Sequence, residues 1–182
     1  MARWMGYGKK FQDYKINVHI SGRQGPEGIR AAYKRLSPEA RNCITIENEE
    51  ISYGLNDCLS ISDIVPIVLD IHHHWCREGE YINARDDRCK RVIDSWRGTR
   101  PVIHYSCSRE DVLEGHDAQT KPDHALLLEA GFKKQKLRAH SDFYWNDAVN
   151  QWALSHSQWA DIMCESKGKN IASRALYEQW NN

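Results

Sequence analysis

Residues 66–74 read Pro-Ile-Val-Leu-Asp-Ile-His-His-His, and this stretch decides which fold the sequence predicts. An almost uninterrupted apolar run, Ile64–Ile71, is typical of a strand that is buried on both faces. Further strands are predicted at Ile16–Ile20, Cys43–Glu47, Pro101–Tyr105, Leu137–His140 and Asp161–Glu165. Helical patterns lie between them, at Pro26–Ala40 with a break near Ser37-Pro38, and at Asp87–Trp96, Asp123–Ala130, Asp147–Leu154 and Ala172–Trp180. This alternation predicts an α/β fold in which helices cover a parallel sheet.

Each predicted strand ends in a side chain that can bind a metal ion. These side chains are His19, Glu47, Asp70, His104, His140 and Glu165, and His73 follows three residues after Asp70. Because right-handed crossovers place the carboxyl ends of parallel strands at one edge, we expect the side chains to converge there. Imidazole together with carboxylate suits zinc, manganese or iron. One tetrahedral ion takes fewer ligands than this, so the pattern predicts two or three ions, with Glu47 or Asp70 as a candidate bridge.

Two other interpretations fit the same residues. The histidines could form a pH-sensitive cluster, or the run His72–His74 could lie on an exposed loop. A single histidine on an apolar strand usually has a structural role, but six strand ends in series favour a metal centre.

Composition and charge limit the class of protein. The 182 residues, 41% hydrophobic and 27% charged, predict one globular domain over residues 1–182. No apolar run approaches the roughly 18 residues of a membrane span, and no signal peptide is evident. The formal net charge of zero argues against coating nucleic acid by bulk charge, although residues 1–42 carry +6 and residues 43–80 carry −7. Six cysteines without a CxxC pair predict free thiols and a reducing, cytoplasmic location.

Six short motifs, in this order, carry a resemblance to a known family. They are His19-Ile20-Ser21-Gly22, Ile46-Glu47-Asn48, Asp70-Ile71-His72-His73-His74, His104-Tyr105-Ser106-Cys107-Ser108-Arg109, His140-Ser141-Asp142-Phe143-Tyr144 and Glu165-Ser166-Lys167-Gly168-Lys169. From about Ile16 to Ala175 the chain resembles the UV damage endonucleases, which are TIM-barrel DNA repair enzymes of the xylose isomerase-like type related to endonuclease IV. The resemblance implies damaged double-stranded DNA as the partner and a cut on the 5′ side of UV photoproducts and other lesions.

The resemblance also implies a set of metal ligands. His19 and Glu47 would hold one ion, and Glu47 would bridge to a second ion held by Asp70, His104 and Glu165. A third ion would be held by His73 and His140. The family pattern singles out the third residue after the aspartate, which is His73, and this step would let the strand end and the following loop reach neighbouring ions. Glu47, Asp70, His104 and Glu165 would be the catalytic set. Manganese is the metal implied, with zinc or cobalt as alternatives.

Two departures from the family pattern limit this interpretation. Val102 stands where the family has a lysine able to join the metals. The family barrel also begins upstream of the His19 strand, with a further ligand and a lesion-probing pair that have no counterpart in residues 1–15. We therefore expect the C-terminal part of a (β/α)8 barrel, incomplete and inactive alone if it is a fragment, whose unpaired sheet edges favour oligomers. The alternatives are another metal-dependent TIM-barrel hydrolase, a sugar isomerase, or a non-catalytic metal- or DNA-binding remnant.

Overall fold

The computed structural model describes residues 2–181, and its regular elements alternate between strands and helices. Strands occupy Ile16–His19 (β1), Ile44–Glu47 (β2), Ile67–Asp70 (β3), Val102–Tyr105 (β4) and Asp161–Cys164 (β5). The helices are Gly25–Arg35 (α1), Pro38–Cys43 (α2), Leu55–Leu59 (α3), Ile71–Glu78 (α4), Asp87–Ser95 (α5), His124–Glu129 (α6), Lys134–Leu137 (α7), Asp147–Leu154 (α8) and Lys169–Trp180 (α9). The strand pairings that are described are all parallel, which confirms the predicted α/β class.

Five of the six predicted strands are confirmed, and the one at Leu137–His140 is wrong. Leu137 ends helix α7, and His140 forms only an isolated antiparallel bridge with Ser108. The Lys133–Lys136 segment has high helix propensity, so it winds into a short helix. Leu137 is buried, and its carbonyl accepts a hydrogen bond from the Ser108 hydroxyl at 2.6 Å. The apolar residue Leu137, which contributed to the predicted strand, is therefore explained by its burial in the tertiary structure.

The His72–His74 run lies in a helix and not in a loop. Helix α4 begins at Ile71, directly after β3 ends at Asp70, and all three histidines are buried. The interpretation of this run as an exposed loop is therefore wrong. The expected break near Ser37 is confirmed, because the Ser37 side chain accepts the Ala40 N–H and Pro38 starts helix α2.

The chain divides into two compact units. Unit 1 contains the chain up to Asp70 together with Arg85–Pro101, and in it β1, β2 and β3 pair in sequence order. Helix α5 holds the start of β3: the Ser95 hydroxyl accepts the Ile67 N–H at 3.0 Å, and the Trp96 indole donates to the Ile67 carbonyl at 2.8 Å. Because these side chains are buried, their hydrogen bonds keep the start of β3 fixed.

Unit 2 contains Ile71–Ala84 and the chain from Val102 onward. Strands β4 and β5 pair over four residues each, from Val102 with Asp161 to Tyr105 with Cys164. A separate apolar cluster of this unit is formed by Trp75, Cys76, Leu113 and Leu137, with partly buried aromatic residues around it.

Two further expectations concern the whole chain. Across residues 2–181, no helix combines the length and the apolar character that crossing a membrane requires. All six cysteines are free thiols, five of them buried and Cys164 half-buried, as the sequence predicted.

Candidate metal-ligand clusters

In unit 1, His19 and Glu47 lie side by side at the ends of two paired strands. They are register partners on β1 and β2, and His19 Nε2 is 3.4 Å from Glu47 Oε2. Asn17, two residues before His19 and on the same face of β1, donates a hydrogen bond to Glu47 Oε2. Its own amide oxygen accepts from the Thr45 hydroxyl at 2.9 Å. The Glu47 carboxylate is therefore oriented from two sides while His19 remains half-exposed.

Asp70, the third candidate of unit 1, is fixed by the residue that follows Glu47. The Asn48 side chain donates to the Asp70 carbonyl at 3.0 Å and accepts the Asp70 N–H at 2.9 Å. Asn48 thus extends the pairing of β2 with β3 beyond the last ladder pair, Glu47 with Val68. Glu47 and Asp70 are both fully buried. Burying two carboxylates in one small unit is costly unless cations compensate their charge, and their oxygen atoms suit a divalent metal.

Unit 2 holds a second cluster, which is organised around Glu165. Its carboxylate oxygen Oε1 lies 3.1 Å from His104 Nδ1, and its backbone N–H donates to the Tyr105 carbonyl at 2.9 Å. Partial burial acts to raise the pKa of Glu165, but the hydrogen bond and charge of His104, with smaller contributions from His140 and His73, outweigh it and lower that pKa. A lowered pKa keeps Glu165 ionised near neutral pH, which is the state that binds a metal.

His140 is oriented by the backbone of the same residue. Its Nδ1 lies 2.9 Å from the Glu165 carbonyl oxygen, which can only accept, so Nδ1 carries the proton and donates it. In the neutral form of this tautomer the other ring nitrogen, Nε2, carries no proton and is the one that can bind a metal. A backbone carbonyl that fixes the tautomer in this way is the usual support of a metal-binding imidazole.

The three consecutive histidines of α4 differ in their contacts. The His73 ring centroid is 6.3 Å from that of His140, whereas His74 Nε2 pairs with Glu80 at 3.1 Å. His72 Nε2 lies 3.6 Å from Cys76 Sγ, and burial, with the neighbouring His140 and His73, lowers the pKa of His72 to about 3. His72 is therefore a neutral, packed side chain, but its ring centroid lies 5.9 Å from that of His140, so His72 and His73 both lie beside a candidate ligand of unit 2.

Val102 lies on the same face of β4 as His104, because side chains two residues apart on a strand share a face. It is half-buried at the start of the strand. A valine there offers no ligand atom, so the position contributes only apolar surface beside His104.

The sequence therefore named the ligand candidates of both clusters but missed the residues that orient two of them. Asn17 orients Glu47, and Asn48 orients Asp70. Spacing alone could have indicated Asn17, since a residue two before a strand-end ligand lies on its face. The sixth strand end expected at His140 is an isolated bridge, yet His140 still reaches Glu165.

Comparison with known proteins gives consistent results. A family model described as UV-endonuclease UvdE matches residues 3–181. A UV DNA damage endonuclease of Bacillus cereus (strain B4264) is 24% identical over 176 residues, which cover 90% of this chain and 48% of that protein. A UV-damage endonuclease of Neurospora crassa is 25% identical over 151 residues, covering 68% of this chain and 23% of that protein.

A solved structure, the crystal structure of SacUVDE, is similar over 92% of this chain and 52% of its own, with a TM-score of 0.63 and 25% identity. This likeness confirms the expected TIM-barrel type of α/β fold. The chain spans about half the length of the Bacillus relatives that it matches and about half of the SacUVDE chain.

Proposed function

Since this chain belongs to the UV-endonuclease UvdE family, we propose that it is a metal-dependent DNA repair endonuclease that cuts the phosphodiester on the 5′ side of UV photoproducts and other lesions. The relatives named as UV damage endonucleases support a nuclease that acts on DNA. Damaged double-stranded DNA is the proposed substrate and partner.

The observation that carries the proposal is the pair of imidazoles held by Glu165. Its carboxylate lies beside His104, and its carbonyl fixes the tautomer of His140. A purely structural histidine cluster does not require an imidazole nitrogen prepared in this way, whereas a metal-dependent enzyme does. The sequence elements 140–142 and 165–169, together with the family match, favour a nuclease over a sugar isomerase, whose metal ligands would be of the same kind.

The proposed metal ligands are the seven candidate residues of the two clusters. They are His19, Glu47 and Asp70 in unit 1, and His73, His104, His140 and Glu165 in unit 2. We propose two or three ions, with manganese as the metal and zinc or cobalt as alternatives that the same donors accept. When bound, such ions neutralise the phosphodiester, activate water near neutral pH and stabilise the leaving oxygen.

The chain's own residues have separate roles in this proposal. Glu47, Asp70, His104 and Glu165 are proposed as the catalytic set, because each would hold an ion that touches the scissile phosphate. Asn17 and Asn48 are positioning residues: Asn17 orients the Glu47 carboxylate, and Asn48 fixes the backbone from which the Asp70 side chain extends. Preorganised ligands lower the cost of ordering the site during the reaction.

A nicking assay on a duplex with one defined pyrimidine dimer tests the proposal. We expect manganese-dependent cutting 5′ to the dimer, lost in EDTA and strongly reduced in His104→Gln. The matched control is His116→Gln, because His116 is a unit 2 histidine outside the proposed ligand set, and its ring contacts the Asp117 carbonyl and the Trp145 ring. Metal binding without any cutting would support a non-catalytic remnant, and turnover of a free sugar would support an isomerase.

A further inference from the structure

Phe143 is an exposed aromatic side chain on a loop whose other residues are fixed inside unit 2. Its side chain is 50% exposed, whereas Ser141 and Tyr144 on either side are buried. The Ser141 hydroxyl donates to the Phe143 carbonyl and lies 3.0 Å from Cys107 Sγ. The Tyr144 hydroxyl accepts the Ser166 N–H at 3.0 Å. The loop is thus held on both sides, and the side chains of Asp142 and Phe143 are left facing solvent.

The segment after β5 lies directly along this loop. The Lys167 N–H donates to the Ser141 carbonyl and the Gly168 N–H to the Asp142 carbonyl, both at 2.9 Å. A Cβ on Gly168 would lie 2.6 Å from the Asp142 oxygen, so only glycine allows this approach. The exposed Lys167 is therefore held beside Phe143 by backbone contacts that do not depend on either side chain.

A cleft of about 330 Å³ opens next to Phe143, and Arg109, Asp111, Asp142 and Trp145 are among its lining residues. Arg109 Nε donates to Asp111 Oδ1 at 2.7 Å, so these two charges largely cancel. Glu110 and Asp142 add two carboxylates to the same lining, so the positive charge for a phosphate has to come from Lys167. The hydrogen bond from Arg109, and to a smaller extent the charge of Lys167, lower the pKa of Asp111. The Lys167 N–H bonds to the carbonyl of Ser141, which lines the same cleft, so Lys167 lies at the border of the cleft.

We propose that Phe143 and Lys167 together bind one nucleotide of the DNA strand, with the phenyl ring stacked on the base and the ammonium group paired with the phosphate. This inference rests on the proposed function. A rigid aromatic ring beside a lysine matches the alternating bases and phosphates of a nucleic acid strand, which a peptide does not offer. His140, a proposed metal ligand, lies three residues before Phe143, so the contact would position the strand near the metals.

A DNA-binding titration tests both residues. Fluorescence anisotropy measures the affinity for a labelled duplex with one pyrimidine dimer at several salt concentrations. Loss of a stacked base in Phe143→Ala or Phe143→Leu should weaken binding by about 5- to 150-fold at every salt concentration. Phe143→Tyr should restore it. Lys167→Ala should reduce the slope of log affinity against log salt by about 0.9, whereas the Phe143 variants should leave the slope unchanged.

Two surface variants are matched controls, and both should bind as the original protein does. Tyr177→Ala removes an aromatic ring on α9 that is 66% exposed, and Lys34→Ala removes an exposed lysine on α1. Metal content and urea midpoint are measured for each variant. If Phe143→Ala does not fold, Phe143→Leu takes its place, because leucine keeps much of the apolar volume. If the original chain binds no DNA, the proposed function fails. If it binds DNA and Phe143→Leu binds equally well, the proposed function stands and the inference is overturned.

Discussion

At the scale of single residues, the two clusters differ in how their ligands are held. Glu47 is fully buried and oriented by Asn17, whereas His104 is paired with the carboxylate of Glu165. We expect His104→Ala and Glu47→Gln each to lower the number of manganese ions per chain by removing a ligand atom, typically with a 10-fold or greater loss of affinity. Metal analysis after equilibrium dialysis measures this, with His116→Ala as the control. Unchanged metal content in both variants would exclude the proposed ligands.

Val102 offers a gain-of-ligand test on the same strand. Because Val102 shares a face of β4 with His104 and is only half-buried, a lysine can extend from this position without entering the core. Val102→Lys should leave the free energy of unfolding, measured with urea, within about 1 kcal/mol of that of the original protein. It should change the relative affinities for manganese, zinc and cobalt. Competition dialysis with the three metals measures this effect. If the variant and the original protein bind each of the three metals with the same affinity, position 102 does not face the metals.

The buried side chain of His156 should make the stability of the protein depend on pH. It is fully buried between the rings of Trp152 and Trp159, and its Nδ1 donates to the Trp152 carbonyl at 3.2 Å. Burial lowers the pKa of His156, although the backbone hydrogen bonds partly oppose it. The unfolded chain, whose histidine pKa is about 6.5, therefore binds a proton more readily than the folded protein. Stability from this group is complete above about pH 6.5 and falls as the pH is lowered towards the folded-state pKa.

Replacing this histidine should remove its share of the pH dependence. One such group contributes at most about 1.4 kcal/mol per pH unit, so the free energy of unfolding of His156→Asn should fall less steeply between pH 7 and pH 5. Asparagine keeps a donor for the Trp152 carbonyl but does not titrate. Urea unfolding at several pH values measures the slope, with His116→Asn as the control. Equal slopes for His156→Asn and the original protein would show that His156 does not contribute to the pH dependence of stability.

At the scale of elements, helix α9 begins where the segment after β5 contacts the loop that follows His140. Gly168 makes this contact possible, because an added Cβ would meet the Asp142 carbonyl at 2.6 Å and Ala172 Cβ at 3.0 Å. We expect Gly168→Ala to destabilise the protein by about 1–3 kcal/mol, since backbone atoms must move apart. Urea denaturation measures this, with the exposed Asn170→Ala in the first turn of α9 as the control. A Gly168→Ala variant as stable as the Asn170 control would show that the approach is not required.

At the scale of the whole molecule, β1 and β5 each have a single neighbouring strand among the described residues. Ile16 and Val18 on β1 and Met163 on β5 are exposed apolar side chains. Parallel sheets are normally covered on both faces, and an unpaired strand edge can add another strand. We therefore expect the 182-residue chain by itself to self-associate and to cut dimer-containing DNA only slowly.

A fusion tests this expectation directly. The N-terminal segment of the Bacillus cereus relative, joined to residues 1–182, should give a monomer that cuts at least 10-fold faster, because the added strands pair with the exposed edges. Sedimentation velocity and the nicking assay provide the two measurements, and an unrelated domain of similar length joined at the same point is the control. A monomeric 182-residue chain with robust cutting 5′ to the dimer would refute the expectation.

The sequence by itself determined the α/β class, five of the strands and the residues placed at their ends. This was possible because apolar runs, their spacing and the residue that ends each run are local properties. Helix α4 was beyond it, because three histidines directly after an apolar strand give no helical periodicity, and their burial is seen only in the folded chain. The tertiary structure also decided that Leu137–His140 is not a strand, and that Asn48 and the Glu165 carbonyl orient Asp70 and His140. These outcomes depend on contacts between residues more than twenty positions apart, whose partners no local pattern identifies.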